Sequence, residues 1–182
     1  CLATIWGADD AYVEKYLTSF PGYYETGDAG YCDEDGYLYI MARTDDVINV
    51  AGHRLSTGQL EEVLADHPDI AECAVIGVAD QLKGQLPLGL ICLYPNCNRL
   101  QDDIMAEAIA LVKERVGRVS SFNLIVVIER LPKTRSGKVL RGTMAKIADD
   151  ESWDMPATID DPAILDEIKT ALQSIGYAGG KS

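Results

Sequence analysis

Spacing of apolar and polar positions divides the 182-residue chain into short runs of two kinds. Tyr12, Val13, Tyr16 and Leu17 recur on one side of a helical repeat that starts at Asp9-Asp10 and is stopped by Pro21-Gly22, which predicts a short helix. A small β unit follows, with Tyr31, the polar turn 32–36 and the run Tyr37-Leu38-Tyr39-Ile40, too short to close a core alone. The pair Asp45-Asp46 then leads into the β-branched positions Val47, Ile48 and Val50 and on to Ala51-Gly52-His53. This is the pattern of a polar joint followed by a tight hairpin. Two readings of the joint stand side by side: a hinge where two packed units meet and the backbone stays wet, or an ordinary surface turn before a strand.

Beyond the joint, Ser56 and Gln59 have capping-box spacing, and Leu60, Val63 and Leu64 give the inner face of a helix ending at His67-Pro68. Residues 70–78 and 86–93 are apolar runs predicted as strands, with the polar loop DQLKGQ (80–85) between them. Asp102-Asp103 open a helix that carries Ile104, Ala108, Leu111 and Val112 on one face and closes at Gly117; its acidic start and basic end (Lys113, Arg115) suit the helix dipole. Residues 123–128 read as a further buried strand, and Leu140, Met144 and Ile147 as a helix. The acidic stretch 149–161 reads as a surface linker, after which Asp161-Pro162 starts a last helix with Ile164, Leu165, Ile168 and Leu172 inside. Strands and helices alternate irregularly, which favours an α+β fold over a doubly wound sheet.

Charge narrows the choice of partner. A formal net charge of -13 argues against nucleic acid and against an anionic membrane surface, both of which are bound through clustered Lys and Arg. The balance is uneven, because six of the 16 basic residues (Arg130, Lys133, Arg135, Lys138, Arg141 and Lys146) crowd into one segment and suggest a local anion site. Five cysteines without a CxxC pair or a histidine cluster point to a reduced, cytosolic compartment. No run approaches the ~18 apolar residues of a membrane span, and no signal peptide is recognisable. A start at Cys1 without methionine leads us to expect a fragment.

Within the basic segment, LPKTRSGKVLR (131–141) carries the sharpest chemistry. Pro132 stiffens the approach, Ser136-Gly137 permits an open backbone, and Lys138 comes just before a helix. Such a lysine is a mobile point charge with three donors, suited to phosphate or carboxylate oxygens where negative charge builds up; the plainer alternative is a solvated basic loop. A phosphate-binding P-loop is excluded, since Val139 follows the lysine and no glycine stands five residues before Gly137.

YYETGD (23–28), RTDDVINVAGHRLS (43–56) and LPKTRSGK (131–138), in this order, closely resemble the later core motifs of the adenylate-forming superfamily of acyl-CoA synthetases, peptide-synthetase adenylation domains and luciferases. GHRLST and PKTRSGK resemble the short-chain branch, the acetyl- and propionyl-CoA synthetases, and ATIDDPAIL (157–165) is similar to the propionyl type. The resemblance implies that residues 1–44 end a large ATP-binding domain and that 45–148 form the mobile C-terminal domain hinged at Asp45. Residues 149–182 are then an acidic linker and terminal helix. The ATP loop and acyl pocket of such enzymes belong to an N-terminal domain outside this sequence, which is the implied partner, so the piece alone is expected to be inactive.

The implied reaction joins a short-chain carboxylic acid, expected to be propionate, to coenzyme A at the expense of ATP, with Mg2+ as cofactor. Acetate is the alternative acid, and a free-standing nucleotide- or CoA-binding regulatory module without catalysis is the alternative from another class. By resemblance, Asp28 and Arg43 hold the ribose hydroxyls of ATP, although a lone Asp28 after Gly27 is also a plain turn carboxylate. Arg54 reaches the nucleotide phosphates. Lys138 bridges the substrate carboxylate and the α-phosphate, and is the site on which a lysine acetyltransferase and deacetylase would act. Ala51 and Gly52 line the path of the pantetheine, and Lys113 takes the place of an arginine for a CoA phosphate, with its charge kept and its fork lost. A magnesium would lie among Ala65, His67 and Ile70, mostly on carbonyls, unless His67 merely serves the end of its helix. The implied location is the cytoplasm, or the mitochondrial matrix in a eukaryote.

Overall fold

Strands buried on both faces lose the apolar-polar alternation of a half-exposed sheet and read as continuous hydrophobic runs. Two such runs build the centre of the fold. The computed structural model describes residues 3–179, without the side chains of Met41, Ala42 and Asp45. It divides into two units, Cys1–Thr44 and Asp45–Ser182.

The first unit holds α1 (Asp9–Tyr16) and the antiparallel pair β1 (Asp28–Cys32) and β2 (Leu38–Arg43). Tyr12 is its one buried hydrophobic among the described residues, and Tyr16 stacks on Tyr24 with ring centroids 5.1 Å apart. Tyr37, Leu38 and Ile40 stay exposed, as expected of a lobe with too little chain for a core of its own.

The second unit is one mixed sheet with helices on both faces. Its elements are β3 (Val47–Val50), β4 (His53–Ser56), α2 (Thr57–Ala65), β5 (Ile70–Asp80), β6 (Gly84–Leu93), α3 (Gln101–Arg115), β7 (Leu124–Val127), α4 (Arg141–Ala148) and α5 (Ile164–Ser174). The strand order is β4-β3-β6-β5, and β7 runs parallel to β6. Period-2 geometry sorts the side chains into two cores. Val75, Ile91 and Ile125 face α2 and α3, meeting Leu60, Leu64, Ile104 and Val112. Ala74, Ile76, Val78, Leu88, Leu90 and Val126 face α4 and α5, meeting Met144, Ile168 and Leu172. This is the α+β arrangement expected from the sequence, with the sheet as its middle layer.

Two local expectations need correction. Ser56 does occupy the N-cap of α2 in extended backbone, but its hydroxyl makes no capping bond, so the capping-box spacing is not used. The acidic stretch 149–161 is not a linker. Ile159 is buried and Trp153 packs against the same core as α5, so residues 149–179 are part of the second unit rather than a tail on it. The polar residues around them concealed the two anchors.

Gly89 in β6 is a packing glycine: a Cβ there would stand 2.9 Å from Phe122 Cζ, and Phe122 is fully buried. Gly89→Ala is therefore expected to destabilise the protein by about 1–3 kcal/mol, the usual cost of overpacking a filled core. Urea denaturation should show a lower midpoint with an unchanged slope; an unaltered midpoint would mean that Phe122 can move aside.

Candidate functional site

In the first unit the TGD sequence is held as a compact corner. The Thr26 hydroxyl accepts from Asp28 N–H at 3.2 Å, and the Gly27 carbonyl accepts from Thr44 N–H at 2.8 Å and from its hydroxyl at 3.1 Å. Asp28 and Arg43 are register partners across β1 and β2, with Arg43 Nε 3.9 Å from an Asp28 carboxylate oxygen. A Cβ on Gly27 would come within 3.0 Å of the Arg43 guanidinium, and its φ of +75° favours glycine as well. The corner presents a carboxylate and a guanidinium side by side and half exposed, the acceptor-donor combination that suits a diol.

Asp45 opens the second unit in a single 3-10 turn, Thr44–Asp46; its side chain lies outside the described residues. Ala51 and Gly52 form a two-residue connection between β3 and β4, with Val50 paired to His53. Both have positive φ, 49° and 88°, the backbone of a type I′ turn. Ala51 N–H donates to the Lys83 carbonyl at 2.8 Å. Arg54 is exposed on β4 and has no acidic partner among the described residues.

The lysine loop is a clamped hairpin. Lys133 bridges Val139, Thr134 N–H donates to the Lys138 carbonyl at 2.8 Å, and Gly137 N–H donates to the Thr134 carbonyl at 2.8 Å. Thr134 Oγ1 also accepts from Lys138 N–H at 3.0 Å. On its outer side Arg135 N–H donates to the Thr158 carbonyl, and Asp160 N–H to the Lys133 carbonyl. The acidic stretch thus braces the loop along its outer edge, with Thr134 bridged to Ile159. Lys138 itself is exposed.

The expected six-residue anion patch is smaller than the sequence suggests. Arg130 is paired with Asp161 and Glu167, Lys133 with Glu72, and Arg141 with Glu61. Arg141 and Glu61 meet through two parallel bonds of 2.8 and 2.7 Å, and Glu61 also accepts from Val75 N–H, so this pair ties α2, β5 and α4 together. Among the described residues Arg135, Lys138 and Lys146 remain without an acidic partner. Lys138 borders a cleft of about 190 Å3 with Asp46, Arg141 and Thr143. Asp46 lines this cleft although no motif marks it apart from its neighbour Asp45.

His67 is buried with both ring nitrogens engaged: Nδ1 accepts from Asp69 N–H, and Nε2 lies 3.2 Å from Glu107. Arg99 bridges Asp69 and Glu107 and holds the Glu107 carboxyl below its usual range. The imidazole has no lone pair left for a metal, and the His67 carbonyl already accepts from Ile70 N–H. A magnesium here would depend on main-chain oxygens alone, and no group of three or more His, Cys, Asp or Glu side chains able to hold a metal occurs among the described residues. Lys113 lies in the last turn of α3, beside Arg115, which pairs with Asp66. Burial is the main reason the Cys73 and Cys92 thiols are pushed up to about 11, which leaves both far from reactive thiolates. No described helix is long and apolar enough to cross a membrane.

Residues 59–138 match the family of the AMP-binding enzyme C-terminal domain. The chain is 47% identical over 165 residues to the mitochondrial acyl-CoA synthetase short-chain family member B of Dictyostelium discoideum, covering 91% of this chain and 24% of that protein. It is 39% identical over 173 residues to the acetyl-coenzyme A synthetase of Penicillium chrysogenum, covering 94% of this chain and 26% of that protein. A crystal structure of an anthranilate CoA ligase in complex with anthranoyl-AMP superimposes with a TM-score of 0.58 at 31% identity, over 71% of this chain and 25% of that one. The chain therefore spans about a quarter of the length of the relatives it matches. Residues 59–138 thus match an AMP-binding enzyme C-terminal domain, and nine tenths or more of the chain is similar to part of short-chain acyl-CoA and acetyl-coenzyme A synthetases.

Proposed function

We propose that this chain is the C-terminal portion of an AMP-forming, short-chain carboxylate-CoA ligase that acts on propionate. In the first half-reaction the acid's carboxylate oxygen attacks the α-phosphorus of ATP and pyrophosphate leaves. In the second the CoA sulfur attacks the acyl carbon, its proton is lost, and AMP leaves. The observation that carries the reading is Lys138: an exposed cation without an acidic partner among the described residues, in a hairpin loop whose shape is fixed by backbone bonds and by Thr134. Two anions must approach in adenylation, and a preorganised cation between them lowers the barrier.

The remaining roles follow the family resemblance. Asp28 and Arg43 take the ribose hydroxyls and Arg54 the phosphates, while the Ala51-Gly52 turn lets the pantetheine pass close to the backbone. Lys113 meets a CoA phosphate as a point charge, and Asp45 is the pivot that lets one domain serve both steps. Magnesium enters with ATP as its counter-ion, and the chain's own side chains near His67 offer it little. Acetylation of Lys138 would remove the charge that the first step needs. The enzyme would work in the cytoplasm or a mitochondrial matrix, without nucleic acid or membrane partners. Acetate is the second reading, favoured by the 39% identity to an acetyl-coenzyme A synthetase.

The test is pyrophosphate release by the full-length protein that carries this chain, with ATP, CoA and either acid. A kcat/KM for propionate about 10-fold or more above that for acetate supports the propionate reading, since one methylene in a fitted pocket is worth about that much. The reverse ranking moves the assignment to acetate. Release with neither acid, together with measurable nucleotide or CoA binding, moves it to a regulatory module.

A further inference from the structure

The turn between β5 and β6, within DQLKGQ (80–85), has no role in the reaction as described so far, yet its bonds converge on one residue. Asp80 turns back on the loop and accepts from the N–H groups of Leu82 and Lys83, at 3.0 and 2.7 Å, which fixes the Lys83 backbone. The Lys83 carbonyl then accepts the N–H of Ala51 at 2.8 Å. Its ammonium donates to Ser121 Oγ at 2.8 Å. Ser121 has a left-handed backbone, φ 50°, and belongs to the segment that follows α3, whose last turn carries Lys113. One lysine thus connects the tip of the β3-β4 hairpin, through its backbone, to the segment six residues beyond α3, through its side chain.

The hairpin needs such a connection. Its ladder to the central sheet is a single pairing, Val50 with Gly84, supplemented by the bond from Asn49 N–H to the Gln85 side chain at 2.9 Å. Ala51 is a non-glycine residue at positive φ, a conformation that persists only where surrounding bonds hold it.

We propose that Lys83 is a positioning residue for thioester formation, setting the distance between the Ala51-Gly52 turn and the segment that follows α3, the helix that carries Lys113. This rests on the reading that the turn lines the thiol path and that Lys113 meets a CoA phosphate. Lys83 touches neither substrate in this account; it acts through Ala51 and Ser121. Lys83→Met keeps the carbonyl bond and most of the side-chain stem and removes the ammonium.

In the full-length enzyme, KM for CoA in Lys83→Met should rise on the order of 10-fold, the worth of one charge-assisted hydrogen bond, while the rate of acyl-adenylate formation stays within about twofold. Ser121→Ala should give the same rise, and the double variant no more than either single one, because both remove one bond. An unchanged KM for CoA, or equal loss in both half-reactions with a lowered melting temperature, overturns the proposal. Gly52→Leu separates this failure from failure of the parent reading. If Gly52→Leu blocks the CoA step while Lys83→Met is silent, only the role of Lys83 is wrong; if neither affects that step, the assignment of the turn fails.

Discussion

Lys138→Ala in the full-length enzyme is expected to slow acyl-adenylate formation by about 10²- to 10³-fold and to leave thioester formation from supplied acyl-adenylate nearly unchanged. The size follows from the loss of one preorganised donor aimed at developing charge. Arg141, which shares the cleft, is held away from this task by two parallel bonds to Glu61. The loop itself should survive, because its shape depends on Thr134, Gly137 and the Thr158–Asp160 edge rather than on the lysine side chain. Stability should therefore change by less than about 0.5 kcal/mol, as for an ordinary surface substitution. Lys138→Arg keeps the charge in a planar fork and should restore the rate only in part. Single-turnover release of pyrophosphate and, separately, reaction of CoA with prepared propionyl-adenylate measure the two steps. Equal slowing of both would remove Lys138 from the role assigned to it.

How much of this was legible in the sequence depended on whether a signal is local. The β3-β4 hairpin could be read because Ala51-Gly52 sits between β-branched positions, and its turn type is decided within four residues. The helices α2, α3 and α5 were visible for the same reason, their apolar faces recurring within one or two turns. Long-range pairing was not visible. The basic segment looked like an anion patch because the acids that neutralise half of it lie far along the chain: Glu72 for Lys133, Glu61 for Arg141, Glu167 for Arg130. The acidic stretch looked like a linker because its two anchors, Trp153 and Ile159, are separated by polar residues in no periodic pattern. Its bonds to the lysine loop are made by the backbone, which leaves no mark on residue type. Lys83 escaped for a related reason: it bonds Ala51 through its carbonyl, and the spacing to Ser121 carries no motif.

The same distinction makes Gly52 the sharper probe of the second half-reaction. Gly89 is glycine because Phe122 leaves no room for a Cβ, and substituting it would confuse folding with function. At Gly52 a Cβ would meet nothing within 4 Å in the chain's own structure, so only the φ of +88° resists a side chain. That resistance is worth roughly 1–2 kcal/mol, small beside the packing of the two cores in the second unit. Gly52→Leu should therefore fold, with a modest fall in melting temperature, and should form acyl-adenylate at close to the parent rate. If the turn lines the path of the pantetheine, the added side chain stands where the thiol arm must pass, and thioester formation should drop by on the order of 10²-fold, the cost of displacing a reacting group by about an ångström. Ala51→Gly is the matched control: it relieves the strain at φ 49°, adds no bulk and should leave the CoA step intact. Stopped-flow measurement of AMP release from propionyl-adenylate at varied CoA reads the step directly. A Gly52→Leu enzyme with normal CoA kinetics would show that the turn lies away from the thiol path, because a side chain added beside the pantetheine could not leave that step unchanged.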